Sequence, residues 1–258
     1  MSTIALEVAG LRKTYHKDGQ ALHILDVERF AAREGEFITI IGPSGCGKST
    51  FLHIMGGFIP ADAGAIRVYG RDVSGPGPDR GMMFQEFALF PWKTVAGNVA
   101  WGLETQGVPR AEIETIVQRQ LEMTGLAEFR NHYPAELSGG MKQRVALARV
   151  LAFDPKVLLM DEPFGALDAQ TRESMQEEVM RLWARTRKTI IFVTHDIEEA
   201  VYLGDRVVVL TARPGRIREE VAIDLPRPRE LEIKKSARCH DYRNYVWDLI
   251  RSEAQRAK

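Results

Sequence analysis

Short apolar runs separated by polar turns dominate the first forty positions: Ile4-Ala5-Leu6-Glu7-Val8, then Leu22 to Phe30, then Phe37 to Ile41. That pattern predicts an antiparallel β layer leading into a first buried core strand, with Tyr15 in the loop after the first strand. Helical periodicity follows from Lys48 to Met55 and stops at Gly56-Gly57. Strands are predicted over residues 65 to 70 and over Gly81 to Phe84, the latter ending in Gln85, with Ser74-Gly75-Pro76-Gly77-Pro78 as a loop. From about Ala88 to Phe153 the pattern is mainly helical, broken at Gly107-Val108-Pro109, Gly125 and Pro134. Beyond Asp154-Pro155, the runs Val157 to Met160, Thr189 to Val193 and Val207 to Leu210 are continuously apolar, as strands buried on both faces should be. A helix is predicted from Thr171 to Arg185. This alternation predicts an α/β fold, a mostly parallel sheet with right-handed crossovers, within one domain spanning 1–258. A helical subdomain over about 88–153 is inserted into that core, and 212–258 forms a C-terminal extension. Tyr242, Val246, Leu249 and Ile250 share one face of a helix in that extension, predicted to be a solvated helix packed on the core, with a membrane-attracted helix as the alternative.

Composition narrows the setting. The chain has 258 residues, 45% of them hydrophobic, near the size at which one core begins to divide. Its 35 basic and 35 acidic residues balance, so no global field recruits nucleic acid. The extension is locally basic, with 12 basic against 8 acidic residues. No apolar run approaches the length of a membrane span, and the charged first 20 residues are unlike a secretory signal. Two cysteines, Cys46 and Cys239, supply neither a disulfide framework nor metal spacing. The expectation is a cytoplasmic protein whose membrane role, if it has one, runs through a partner.

Candidate chemistry begins at Gly42-Pro43-Ser44-Gly45-Cys46-Gly47-Lys48-Ser49-Thr50. Lying between a buried strand and a helix, it fits the phosphate-binding loop G-x-x-x-x-G-K-[ST]. Glycines let successive N–H groups turn inward, and the positive end of the following helix completes a cradle for a polyphosphate. Lys48 would reach the β- and γ-phosphates and Ser49 would hold Mg²⁺. A thiol at Cys46, ringed by N–H donors beside Lys48, is expected to be acidic and reactive when the loop is empty. Asp161-Glu162 ends the run Val157 to Met160, and a carboxylate at the carboxyl end of a parallel strand lies beside the phosphate loop. Asp161 is then a Mg²⁺ ligand, direct or through water, and Glu162 a base for attacking water.

A second anion site is predicted at Leu137-Ser138-Gly139-Gly140-Met141-Lys142-Gln143-Arg144, where Ser138 and two glycines precede a strong helix from Met141 to Phe153. One triphosphate cannot readily occupy both sites. The second therefore suits nucleotide bound to another subunit, although an ordinary capped helix and a plain nucleotide switch or kinase remain open from these residues.

Together these stretches resemble the ATP-binding subunits of ABC transporters, over nearly the whole chain. Leu137 to Arg144 is similar to the family signature and lies 24 positions before Asp161. The resemblance implies an ATPase with a P-loop NTPase core, working with ATP and Mg²⁺ as a nucleotide-sandwich dimer of two copies. It assigns Gln85 to the loop that senses Mg²⁺ and water, Gly165-Ala166-Leu167-Asp168 to the D-loop and His195 to the γ-phosphate switch. Tyr15 takes the position of the aromatic that stacks on adenine. Ser138, Gly139 and Gly140 would then cap ATP held by the partner copy. The words Leu89-Phe90-Pro91-Trp92-Lys93-Thr94-Val95 and Leu210-Thr211-Ala212-Arg213-Pro214-Gly215-Arg216-Ile217 resemble the subfamily importing nitrate, sulfonates and taurine. Permease partners in the membrane, an indirect link to a solute-binding receptor and a peripheral place on its cytoplasmic face follow from the same likeness. An exporter subunit, or a soluble member acting in DNA repair or translation, is the alternative. Phe90 and Trp92 are either anchors for a membrane partner's helix or core aromatics.

Overall fold

The structure is a computed structural model that describes residues 3–17 and 19–256. The end of the 212–258 extension therefore lies partly outside the described residues. Strands β1 (Ile4–Lys17) and β2 (Gln20–Arg33) form a long antiparallel hairpin, and β4 (Ala63–Val68) and β5 (Arg71–Asp72) extend it in the order β2-β1-β4-β5. Tyr15 falls inside β1, opposite Leu22, rather than in a following loop. The hairpin runs on past the first apolar word because backbone pairing, not burial, holds its distal end. Polar Thr14 and His16 sit there in register with β2.

The central sheet has the order β10-β9-β3-β8-β7-β6 among the described residues. Its members are β3 (Phe37–Ile41), β6 (Arg80–Met83), β7 (Val157–Asp161), β8 (Thr189–Val193), β9 (Arg206–Leu210) and β10 (Ile217–Ala222). All neighbours run parallel except β10, which pairs antiparallel with β9 at the edge. Every residue of β3, β7 and β8 is buried, and side-chain alternation explains why. Ile191 and Val193 face α1 (Lys48–Met55), whereas Ile190 and Phe192 face α5 (Ala169–Thr186). Strands with core on both faces must read as unbroken apolar runs.

Helix α1 is enclosed between the two sheets, its Phe51, Leu52, Ile54 and Met55 packed against Leu6, Val8, Leu11 and Val27 of the antiparallel layer and Leu159 of the central one. That burial on both sides fixes the phosphate loop at its N-terminus. Helices α2 (Val95–Thr105), α3 (Arg110–Met123) and α4 (Gly139–Leu151) share a separate cluster built on Val95, Val99, Val117, Leu121, Val145 and Ala148. α4 begins at Gly139, two residues earlier than the periodicity suggests, because Ser138 caps it: its Oγ accepts from Met141 N–H at 3.3 Å. α6 (Ile197–Leu203) follows β8, and α7 (Ala237–Arg256) lays Cys239, Val246 and Leu249 against Val201, Val207 and Val209. Trp92 is 72% exposed, which removes it from the core. No helix among the described residues is long and apolar enough to cross a membrane.

Candidate functional site

Parallel strands that end together deliver their following loops to one rim. Here β3 delivers the phosphate loop, β7 delivers Asp161 and Glu162, and β8 delivers Thr194 and His195. A cleft of about 580 Å³ opens at that rim, lined by Ser44, Gly45, Gly47, Lys48, Ser49, Thr50, Glu162 and His195, with Ile24 and Arg213 at its edges.

The phosphate loop folds as its glycines demand. Gly47 caps α1 at φ 103°, and a Cβ there would also stand 2.9 Å from Ile24 and Leu25 side-chain atoms, so glycine alone fits. No side chain caps α1, which leaves its first N–H groups for a ligand. Lys48 is buried, and its ammonium donates to Gly42 O (2.9 Å) and Pro43 O (3.2 Å), bending back over the loop. Pro43 and Thr50 belong to the loop's frame, with Pro43 O also accepting from Cys46 N–H at 3.3 Å.

Cys46 is a correction. Its thiol is 1% exposed, and burial raises its pKa above the usual 9.0, with Lys48 and Arg213 offsetting only part of that effect. The Cys46 side chain packs in the apolar cluster beneath the antiparallel sheet and does not line the cleft. Desolvation of a thiolate outweighs the neighbouring cations there, so the thiol is neither acidic nor exposed as the sequence suggests.

Ser49 Oγ donates to Asp161 Oδ1 at 2.9 Å, which brings a hydroxyl and a buried carboxylate together across 112 positions of the sequence. Hard oxygen donors in that small number suit Mg²⁺, which keeps waters and substrate phosphates as its other ligands. No group of three or more His, Cys, Asp or Glu side chains able to hold a metal by themselves exists among the described residues. His53 carries no motif of its own in the sequence. It lies one helical turn after Ser49 on the same face of α1, and its Nε2 approaches Asp161 Oδ2 at 3.1 Å without hydrogen-bond alignment. The four-residue spacing from Ser49 was the available signal.

Glu162 sits at φ 42°, a left-handed conformation uncommon for a side-chain-bearing residue and concentrated at functional sites. The backbone is held there by Glu162 N–H donating to Val193 O at 2.9 Å. Its Oε2 lies 3.0 Å from His195 Nδ1, and the histidine is largely exposed. Gln85 belongs to the same neighbourhood: a Cβ built on Gly165 would stand 3.9 Å from Gln85 Nε2 and 4.0 Å from Glu162 Oε2.

Two predicted groups lie elsewhere. Ser138, Gly139 and Gly140 open α4 and do not line the cleft, so one chain does not bring both anion sites together. Tyr15, 39% exposed with Lys13 Nζ 5.3 Å from its ring centroid, stands outside the cleft's lining as well.

A cleft with free helix N–H groups, a lysine, a hydroxyl–carboxylate pair and a second carboxylate touching histidine can bind a polyphosphate and attack it with water. Comparison with known proteins points the same way. Residues 25–165 match the family described as ABC transporter. An uncharacterized ABC transporter ATP-binding protein of Methanocaldococcus jannaschii is 48% identical over 250 residues, 97% of this chain and 92% of that one. A nitrate import ATP-binding protein of Synechocystis sp. is 45% identical over 253 residues, 95% of each. A taurine import ATP-binding protein of Roseobacter denitrificans is 47% identical over 225 residues, 84% of each. Among solved structures, a dimeric ATP-binding cassette in a post-hydrolysis state with ADP and Pi superimposes with TM-score 0.73 at 32% identity, over 86% of this chain and all of that one. With the fold, the cleft and these relatives in agreement, the chain belongs to the ABC transporter family, among its ATP-binding subunits.

Proposed function

We propose that this chain hydrolyses ATP to energise an importer of a small solute of the nitrate, sulfonate or taurine class. The observation that carries the reading is the Ser49–Asp161 hydrogen bond beside the Glu162–His195 contact, both opening on the cleft over Lys48. The import class rests on the nitrate and taurine import relatives.

Each residue then has a task. Gly42 to Thr50 cradle the phosphates through backbone N–H groups, and Lys48 leaves the loop carbonyls to meet the β- and γ-phosphates. Ser49 and Asp161, with Gln85, would hold Mg²⁺, which offsets phosphate charge and orients the leaving group. Glu162 takes the proton of the attacking water, and His195 holds the γ-phosphate while keeping Glu162 aimed. Tyr15 stacks on the adenine from the hairpin. Ser138, Gly139 and Gly140 cap the ATP of a second copy. That assignment accounts for a helix N-terminus exposed away from the chain's own cleft, and a related cassette is dimeric.

The permease partners dock in a groove of about 490 Å³ lined by Phe58, Phe84, Phe90, Trp101 and Phe153. Arg149 of α4 donates to Phe87 O (3.0 Å) and Ala88 O (2.7 Å), so displacement of Gln85 passes directly to the groove wall. Trp92 stands beside Phe90 at 5.7 Å between ring centroids and offers an anchor for a partner helix. On this reading the chain sits peripherally on the cytoplasmic face of the membrane, with a solute-binding receptor on the other side.

Glu162→Gln tests the chemistry. ATP affinity should persist while turnover falls about 10²–10⁴-fold, the contribution of a general base. Normal hydrolysis by that variant would sink the assignment.

A further inference from the structure

One more loop reaches the cleft. β9 runs parallel beside β3, so the segment leaving its carboxyl end, Thr211 to Arg216, emerges next to the phosphate loop. It is tied down from both sides. Gly215 N–H donates to Ile24 O at 2.8 Å and Asp26 N–H donates to Gly215 O at 3.1 Å, adding a rung to β2. A Cβ on Gly215 would stand 2.2 Å from Cys46 O, so only glycine lets this loop rest on the phosphate loop. Thr211 Oγ1 donates to Pro214 O (2.9 Å) and accepts from Arg216 N–H (3.0 Å), and Arg216 pairs with Asp26 at 2.8 Å.

Between these fixed points Arg213 is carried into the cleft. Its Nη2 and Nε donate to Gly45 O at 3.1 and 3.4 Å, and its side chain lines the same space as Lys48, Ser49, Glu162 and His195. Among the described residues no carboxylate pairs with Arg213, and its Nη1 makes no hydrogen bond. Its neighbour Arg216 is spent on Asp26, which makes the contrast local. A guanidinium is a planar fork whose one edge can keep a carbonyl while the other meets an anion.

We propose that Arg213 contacts the nucleotide: it remains on the Gly45 carbonyl and donates its free Nη1 edge to the polyphosphate of ATP lying over Lys48. The proposal rests on the cleft being the ATP site. It makes the C-terminal extension part of that site, because the loop between β9 and β10 supplies the charge. A contact at an open rim is also screened by salt.

The test compares native chain with Arg213→Ala, Arg213→Lys, Arg213→Gln and Lys48→Ala, measuring ATP dissociation constants by calorimetry at two salt concentrations, KM and kcat, and Tm without nucleotide. Arg213→Ala should weaken ATP binding about 10-fold at low salt, the scale of one charge-assisted hydrogen bond, and raise KM far more than it lowers kcat. The loss should shrink at high salt, and Tm should stay near native. Lys should restore part of the affinity and Gln, which can hold Gly45 O without charge, should not. Native affinity in Arg213→Ala, or full rescue by Gln, overturns the contact, provided Lys48→Ala still loses binding. ATP binding retained by Lys48→Ala as well would instead overturn the reading of the cleft itself.

Discussion

The N-termini of α1 and α4 carry the same unsatisfied N–H groups in opposite surroundings. At α1 the cap is Gly47, no side chain satisfies the helix end, and a lysine, a hydroxyl and two carboxylates surround it. At α4 the cap is Ser138, whose own Oγ takes one N–H, and Ser138 and Gly139 are exposed. The first end gathers within one chain the groups that the proposed hydrolysis needs. The second has the dipole and the donors, with Lys142 close behind them, whereas the hydroxyl–carboxylate pair and the Glu162–His195 contact both lie at the first. A helix end alone is therefore not an active site. What surrounds it decides whether it performs a reaction or only completes one elsewhere. α6 offers a third case: Asp196 Oδ1 accepts from Glu199 N–H at 3.1 Å, and Glu198 and Glu199 fill the first turn, so that end is satisfied internally.

The largest effect should come from separating the two ends into different subunits. Lys48→Ala abolishes the α1 site and Ser138→Arg blocks the α4 cap, so each homodimer should lose nearly all hydrolysis. A mixed dimer of the two variants concentrates both defects in one composite site and leaves the other intact. Recovered hydrolysis in that mixture, measured at equal total protein, supports the half-site view. A monomer held at high dilution that hydrolyses ATP at full rate would break it.

A smaller effect is expected at α6. Burial holds the Glu199 carboxyl above its usual 4.5, opposed by hydrogen bonds with Thr194 and Gln176. A raised folded pKa means the group's stability contribution is complete below 4.5 and is lost as pH rises through the folded value. Glu199→Gln keeps an acceptor for Gln176 and removes the charge, so it should raise Tm at pH 8 and lose that advantage near pH 4. About 1 kcal/mol corresponds to roughly 2–4 °C in a domain of this size, which a melting scan resolves. A Tm gain independent of pH would refute the account.

The smallest effect tests the α1 loop from behind. Cys46 points into the core, so N-ethylmaleimide should modify native chain at least about 10-fold more slowly than a free thiol, with or without ATP, since reaction needs an exposed thiolate. Rapid labelling that ATP prevents would show that the thiol faces the cleft after all.

Much of the fold was legible because its signals are local. The apolar words at Phe37 to Ile41, Val157 to Met160 and Thr189 to Val193 announce doubly covered strands, and the glycines with Lys48 and Ser49 announce a phosphate cradle, since both depend on backbone geometry and burial within a few residues. Asp161 and Glu162 followed from their place at a strand end.

The side-chain directions were not legible, because packing against distant segments sets them. Cys46 looked acidic from its neighbours in sequence, yet the apolar side of the loop claimed it. Tyr15 lies within a strand because pairing with Leu22, across the hairpin, extends β1. His53 meets Asp161, and Arg213 meets Gly45, across separations of more than 100 residues that no window on the chain spans. The sequence by itself determined the doubly covered parallel strands, the phosphate loop and the chemical character of the site. Only the tertiary structure decided which groups share its rim, because that depends on the order in which parallel strands are laid side by side.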